Sequence, residues 1–297
     1  EKDSRGPVFA KERDGRPVEP HTDLVLKSLL EAGYELEAEL KPGVRLRDLL
    51  EASRRRLVVE GAGAEVRFPT PNDAPWSVQA WCEGTAAGAP DSWPASGQVL
   101  RLEDLTRALL AQLESETHFI RQAMTSGGSF QKRKQAIFRY TCGGAHLFQA
   151  TASCAALGWP VQGNSAERVR KQIEIYLRRV PVETSMVDEA LRAYPQLAIL
   201  LHNQDLKFLG HLIESLGKVE RAGLWTPSSQ ERLVLEDVQA RAVATVIQLE
   251  RLGAYRPETM AQFSGNPDTF QLYLDLVGDA AHALHGLRIQ GELAKSR

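Results

Sequence analysis

No run of about 18 or more apolar residues occurs in this sequence, so a membrane-spanning helix is not expected. The longest apolar stretch, Ala145 to Trp159, is interrupted by His146, Gln149, Thr151 and Ser153. Charge of one sign is lacking too: 36 Lys and Arg against 38 Asp and Glu leave −2. That balance gives no electrostatic reason to expect a nucleic-acid or membrane partner. The short basic runs Arg54-Arg55-Arg56 and Lys132-Arg133-Lys134 read as solvated helix faces. Cysteine is scarce, and three residues (Cys82, Cys142, Cys154) cannot build a disulfide framework. Cys142 and Cys154 would stand about 18 Å apart on one straight helix, beyond bridging distance. Any single bridge would therefore use Cys82, or need a helix broken at the glycines. CxxC, CxxCH, HExxH, a Walker loop and a strand-borne GxGxxG are all missing. His211-x-x-Glu214 reverses the Glu-x-x-His order of di-iron bundles and fits that class poorly. Strand patterns are nearly missing as well, Val58-Val59 with Glu65 to Phe68 being the one minor hairpin to expect.

What is present is a chain of 297 residues, 43% hydrophobic and 25% charged, a composition that argues against disorder. The fold class it implies is all-α, a compact bundle of about eight helices. Residues 1–21 read as an extended arm, 22–290 as a single helical domain and 291–297 as a frayed tail. The opening residues, polar and rich in Pro and Gly, are similar to the tether behind a removed signal segment. That suggests a periplasmic or secreted protein, a cytoplasmic one being the alternative. Helical spacing of apolar residues predicts helices over Leu24–Leu40, Leu46–Val58, Leu102–Met124 and Ala166–Arg179, then Met186–Ala193. Pro181 should separate the last two. Pro195 should kink the chain or open a helix to about Ala222. Helices over Gln230–Leu252, Pro257–Phe263 and Asp268–Gln290 complete the set. A capping pattern at Ser228 and Glu231 marks the start of the first of these.

Residues 62–98 break the pattern. They are dense in turn residues and hold Trp76, Trp81 and Trp93, so an ordered inserted loop is expected. Within it a short helix over Trp76–Cys82 would be capped by Asn72 or Asp73. The most apolar segment, Phe138 to Pro160, is expected to be the core of a central helix that starts near Phe130. At 100° per residue it aligns Cys142, His146, Gln149 and Ser153 on one stripe beside Gly143-Gly144. Glycine in a buried helix is costly, and usually marks close approach of another backbone or a ligand.

The candidate functional residues are polar groups on faces that otherwise read as apolar: Glu116, Cys142, His146, Gln149, His202, Asp205 and, at an edge, His285. Imidazole, thiolate and carboxylate on facing helices is how bundles hold metal ions. Cys142 with His146 (i, i+4) and His202 with Asp205 (i, i+3), joined by Glu116, would make a Zn, Fe or Cu site. His146, Gln149 and His202 would line a haem or other ligand pocket. The competing expectation is that the same residues only fix packing in an exported interaction or assembly protein, whose partner would be a small ligand or a protein. A third is thiol chemistry at Cys142 with His146 as base. On the same projection His118, His211, Glu214 and His282 point away from the core. Phe270, Leu274, Val277, Ala281 and Leu284 form the buried face of the last helix.

Overall fold

The computed structural model describes all residues except 1, 11, 14, 15, 18, 20, 70, 71, 73, 88, 90, 96, 134, 161–163 and 297. Among the described residues the fold is all-α, with ten α-helices and only small two-stranded ladders. No helix among them is long and apolar enough to cross a membrane. Contacts group the chain into two compact units, so the stretch 22–290 is described in two parts.

The first unit comprises residues 1–116 and 146–169. Its helices are α1 (Leu24–Glu31), α2 (Leu46–Arg56), α3 (Ala74–Glu83), the first part of α4 (Leu102–Thr125) and nearly all of α5 (Ala145–Ala156). α1 stops well before Leu40 because Gly33 takes a positive φ of 85°. Pro42-Gly43 then turns a hairpin between Glu39–Lys41 and Val44–Arg45. The expected arm is instead two tight hairpins, Lys2–Asp3 with Gly6–Pro7 and Glu12–Arg13 with Arg16–Pro17. The Arg54–Arg56 run is not a solvated face. The Arg56 guanidinium donates to the carbonyls of Gly6 and Pro7, Arg55 donates to that of Arg5, and Arg54 lies over the Trp93 ring. The stretch 62–98 does more than connect: α3 within it is buried along almost its whole length. Trp76, Trp81 and Trp93 are all buried. Tryptophan this large contributes most when enclosed, and its N–H needs a partner; Trp81 Nε1 finds Ser53 Oγ at 2.9 Å. Of the two expected caps for α3, Asp73 lies outside the described residues.

The second unit comprises residues 117–145 and 170–297. It holds the end of α4, most of α6 (Ser165–Ala193), α7 (Ala198–Arg221), α8 (Ser229–Arg251), α9 (Pro257–Gly265) and α10 (Phe270–Lys295). Pro181 does not split α6, which runs through it. Pro195 opens a 3-10 turn that leads into α7. The Ser228–Glu231 capping box starts α8 as its spacing predicts. The tail expected to fray continues as helix to Lys295.

The central helix is where the expectation fails most. Residues 130–133 and 135–144 are not α-helical. Two 3-10 turns, Ala136–Arg139 and Thr141–Gly144, occupy that stretch. Cys142 and Gly143 adopt left-handed φ values of 54° and 59°, and Gly144 one of 79°. Two adjacent glycines make this conformation affordable in free energy, and their absence of Cβ is what a regular helix would have wasted. Cys142 therefore does not share a helical stripe with His146.

Candidate metal centre

Cys142 is positioned by the backbone that follows it. The Gly143 carbonyl accepts from the Arg179 guanidinium at 2.9 Å, and the Gly144 carbonyl accepts from the Tyr176 hydroxyl at 2.9 Å. Arg179 is fully buried. It is paired with Glu183 and sandwiched among the rings of Phe138, Tyr176 and Phe208 at 5.0, 4.4 and 5.1 Å. Lys132 completes the arrangement by donating to Glu183 at 2.5 Å. A buried guanidinium is tolerable only with such partners, and here it clamps the turn that carries the thiol.

The thiol faces the seam between α7 and α10. Along α7 the residues Asn203, Lys207, His211, Glu214 and Lys218 recur at spacings of four, four, three and four, one stripe of a helix. Asp275, Asp279 and His282 do the same on α10. The two stripes meet. Asn203 Nδ2 donates to Asp279 at 3.1 Å and Lys207 Nζ to Asp275 at 2.6 Å. Glu214 lies 2.5 Å from His282 Nδ1 and 3.5 Å from His285 Nδ1, and accepts from Lys218 at 2.6 Å. The His211 and His282 rings are 4.0 Å apart between centroids. Cys142 Sγ and a His211 ring nitrogen are within 4.8 Å of each other. Glycine makes this seam tight. A Cβ on Gly286 would sit 2.5 Å from the Glu214 backbone nitrogen, and one on Gly210 would sit 3.0 Å from Asp279 and Ala283 backbone atoms.

The electrostatics follow from burial. Burial opposes ionisation of Glu214, but Lys218, His282 and His285 outweigh it and hold its carboxyl well below the usual range. An ionised carboxylate can only accept, so His282 donates to it from Nδ1. That is the carboxylate–histidine arrangement that presents imidazoles to metal ions. Burial pushes the Cys142 thiol up to about 12; Lys207 opposes this, and Asp279 and Asp275 add to it. A thiol so placed is neutral without a metal, which disfavours free nucleophilic chemistry.

The residues proposed from sequence are distributed as follows. Glu116, half-buried on α4, belongs to the first unit with His146 and Gln149. His146 packs edge-on against Trp76 and His21, at 4.7 and 4.8 Å between centroids, and Gln149 and Ser153 are buried beside it on α5. Cys142, His202 and Asp205 belong to the second unit. Asp205 accepts from Arg241 Nε at 2.7 Å and from Thr245 Oγ1 at 3.2 Å, tying α7 to α8, while Arg241 also holds Asp188. His202 is half-buried on the same helix. Cys142 reaches the α7–α10 seam, and His285 stands at its edge. His211, Glu214 and His282, which the helical projection had turned outward, are the residues it missed. The signal that would have found them is Gly210 and Gly217 on their own stripe of α7, with Gly286 on α10. The rule that glycine in a buried helix marks a close neighbour applies there as it does at Gly143-Gly144.

Comparison of the chain with protein-family models, with curated proteins and with solved structures finds no match.

Proposed function

We propose that the chain is a metal-binding helical protein, its ion held in the second unit by Cys142, His211 and His282. Glu214 would orient His282 from behind. The observation that carries this reading is the succession Glu214–His282–His211–Cys142, in which a buried carboxylate backs an imidazole beside a second imidazole and a thiol. One sulfur and two nitrogens suit Zn(II) or Cu better than Mg(II) or Ca(II). Metal binding would deprotonate Cys142, so affinity should rise with pH. The haem form of the idea loses support, because α7 and α10 approach too closely at Gly210 and Gly286 to leave a slot for a macrocycle between them. A role in catalysis is not part of the proposal. A periplasmic or secreted location accompanies it as an expectation; Cys82 and Cys154, buried in the first unit with their thiols hydrogen-bonded, offer the readout, since an oxidising compartment would join them.

The test is titration of the full chain, stripped with chelator, with Co(II) and then Zn(II). One ion per chain and a near-ultraviolet thiolate-to-cobalt band are expected. Cys142→Ser should abolish the band, and Glu214→Gln should weaken binding about 10- to 100-fold. His202→Ala should leave binding unchanged and stability within about 0.5 kcal/mol. No stoichiometric ion in the folded wild type would end the metal reading and leave the polar seam a packing device.

A further inference from the structure

The same helix that turns its charged side inward turns its apolar side outward. Val277 is 49% and Leu284 71% exposed, Ala281 is exposed, and Phe270 and Leu274 are half-exposed. These five residues are spaced four, three, four and three apart. That alternation is the a/d seam of a coiled coil, the pattern by which one helix receives another. The stripe spans about 21 Å, two heptads. Charged residues do not interrupt it: between Phe270 and Leu287 the charged side chains of α10 are Asp275 and Asp279, both engaged with α7. The histidines of that stretch, His282 and His285, both contact Glu214. An uncharged surface suits pairing with itself, because an isologous contact sets every residue near its own copy and would oppose like charges.

We infer that this face of α10 is a homodimer interface, occupied by α10 of a second copy running antiparallel about a two-fold near Val277. Orientation follows from the flanking charges. Arg288 is the next position of the stripe and is largely exposed. In a parallel pair it would face its own copy. In an antiparallel pair centred on Val277 it falls just beyond the start of the second copy's α10, where the turn before Phe270 carries the exposed Asp268. Two heptads cover less than the roughly 800 Å² per partner of a standard interface, so the dissociation constant should be micromolar. The metal centre lies on the opposite side of α10 and is not needed for this contact.

Sedimentation equilibrium of the full chain from about 1 to 200 μM tests the inference, with circular dichroism confirming that each variant is folded. A monomer–dimer equilibrium is expected. Leu284→Lys should weaken it at least tenfold. Arg288→Asp should weaken it less, with recovery on adding Asp268→Arg. A wild type that stays monomeric throughout overturns the proposal, as does a dimer indifferent to Leu284→Lys. Dimerisation lost in Leu284→Lys but not restored by the charge exchange keeps the interface and overturns the antiparallel orientation. A monomer that instead sediments with neutral lipid vesicles would assign the face to a membrane surface and also overturn it.

Discussion

α7 makes two contacts of opposite character. Towards α8 its ties are a few polar links among apolar side chains: Asp205 with Arg241 and Thr245, and Glu220 with Arg232. Leu206, Leu209, Leu212 and Leu216 of α7 are buried, as are Leu235, Val238, Ala242 and Leu249 of α8. Towards α10 the contact is a row of ionisable residues packed at glycine distance. Two charges taken out of water cost several kcal/mol each unless well paired, and a hydrophobic seam would serve stability as well. A protein that builds one side of a helix economically and the other at such expense points to use of the second. The two seams therefore predict different responses to change.

The largest effect should come from closing the glycine gap. Gly286→Val would press a side chain onto the Glu214 backbone and force the helices apart, costing about 3 kcal/mol or more. On the α8 side Thr245→Val, which removes one hydrogen bond to Asp205, should cost about 1 kcal/mol. Urea denaturation of both variants tests the contrast, and equal losses would break it.

Next comes the charge at the centre of the seam. Glu214→Gln leaves Lys218 buried against a neutral partner and should cost about 2–3 kcal/mol at pH 7. Because the Glu214 carboxyl is held below its unfolded value, its contribution is complete above about pH 4.5 and is lost as pH falls through the folded value. Acid titration monitored by circular dichroism should show the wild type losing stability more steeply than the Gln variant.

The smallest effect has the opposite sign. Burial pushes Asp279 up to about 8, against the pull of Lys207 and with Asp275 adding to it. Between about pH 4 and 8 the folded chain keeps a proton that the unfolded chain has released. This group therefore subtracts stability as pH rises across that window. Asp279→Asn should flatten that slope and be more stable than wild type at pH 9. Melting temperatures at pH 5, 7 and 9 would show it; an unchanged slope would mean that Lys207 neutralises Asp279 fully.

Much of the frame was legible from residue order. The capping box at Ser228 started α8 as expected, Pro195 opened the turn into α7, and the short helix among the tryptophans is there. Local rules worked where local chemistry decides, at the Ser228 cap, at positive-φ glycines and at Pro195. They failed where the same residue pattern admits two outcomes. Phe138 to Pro160 is apolar enough for one buried helix, yet Cys142-Gly143-Gly144 turn left-handed, with the carbonyls of Gly143 and Gly144 held by Arg179 and Tyr176 from another helix. Pro181 reads as a break, but α6 continues through it.

The sequence by itself determined an all-α chain and the periodicities of its helices. It also determined that no span could cross a bilayer as a helix. It determined that α10 has an apolar side and a polar side, because side-chain angle is fixed by the helical repeat. Which side faces inward was decided only by tertiary structure. Gly210, Gly217 and Gly286 let the polar sides of α7 and α10 meet at backbone distance, where Lys207, Lys218, Asp275, Asp279 and Glu214 satisfy one another. Periodicity records that a helix has two faces; only the partner it packs against selects one.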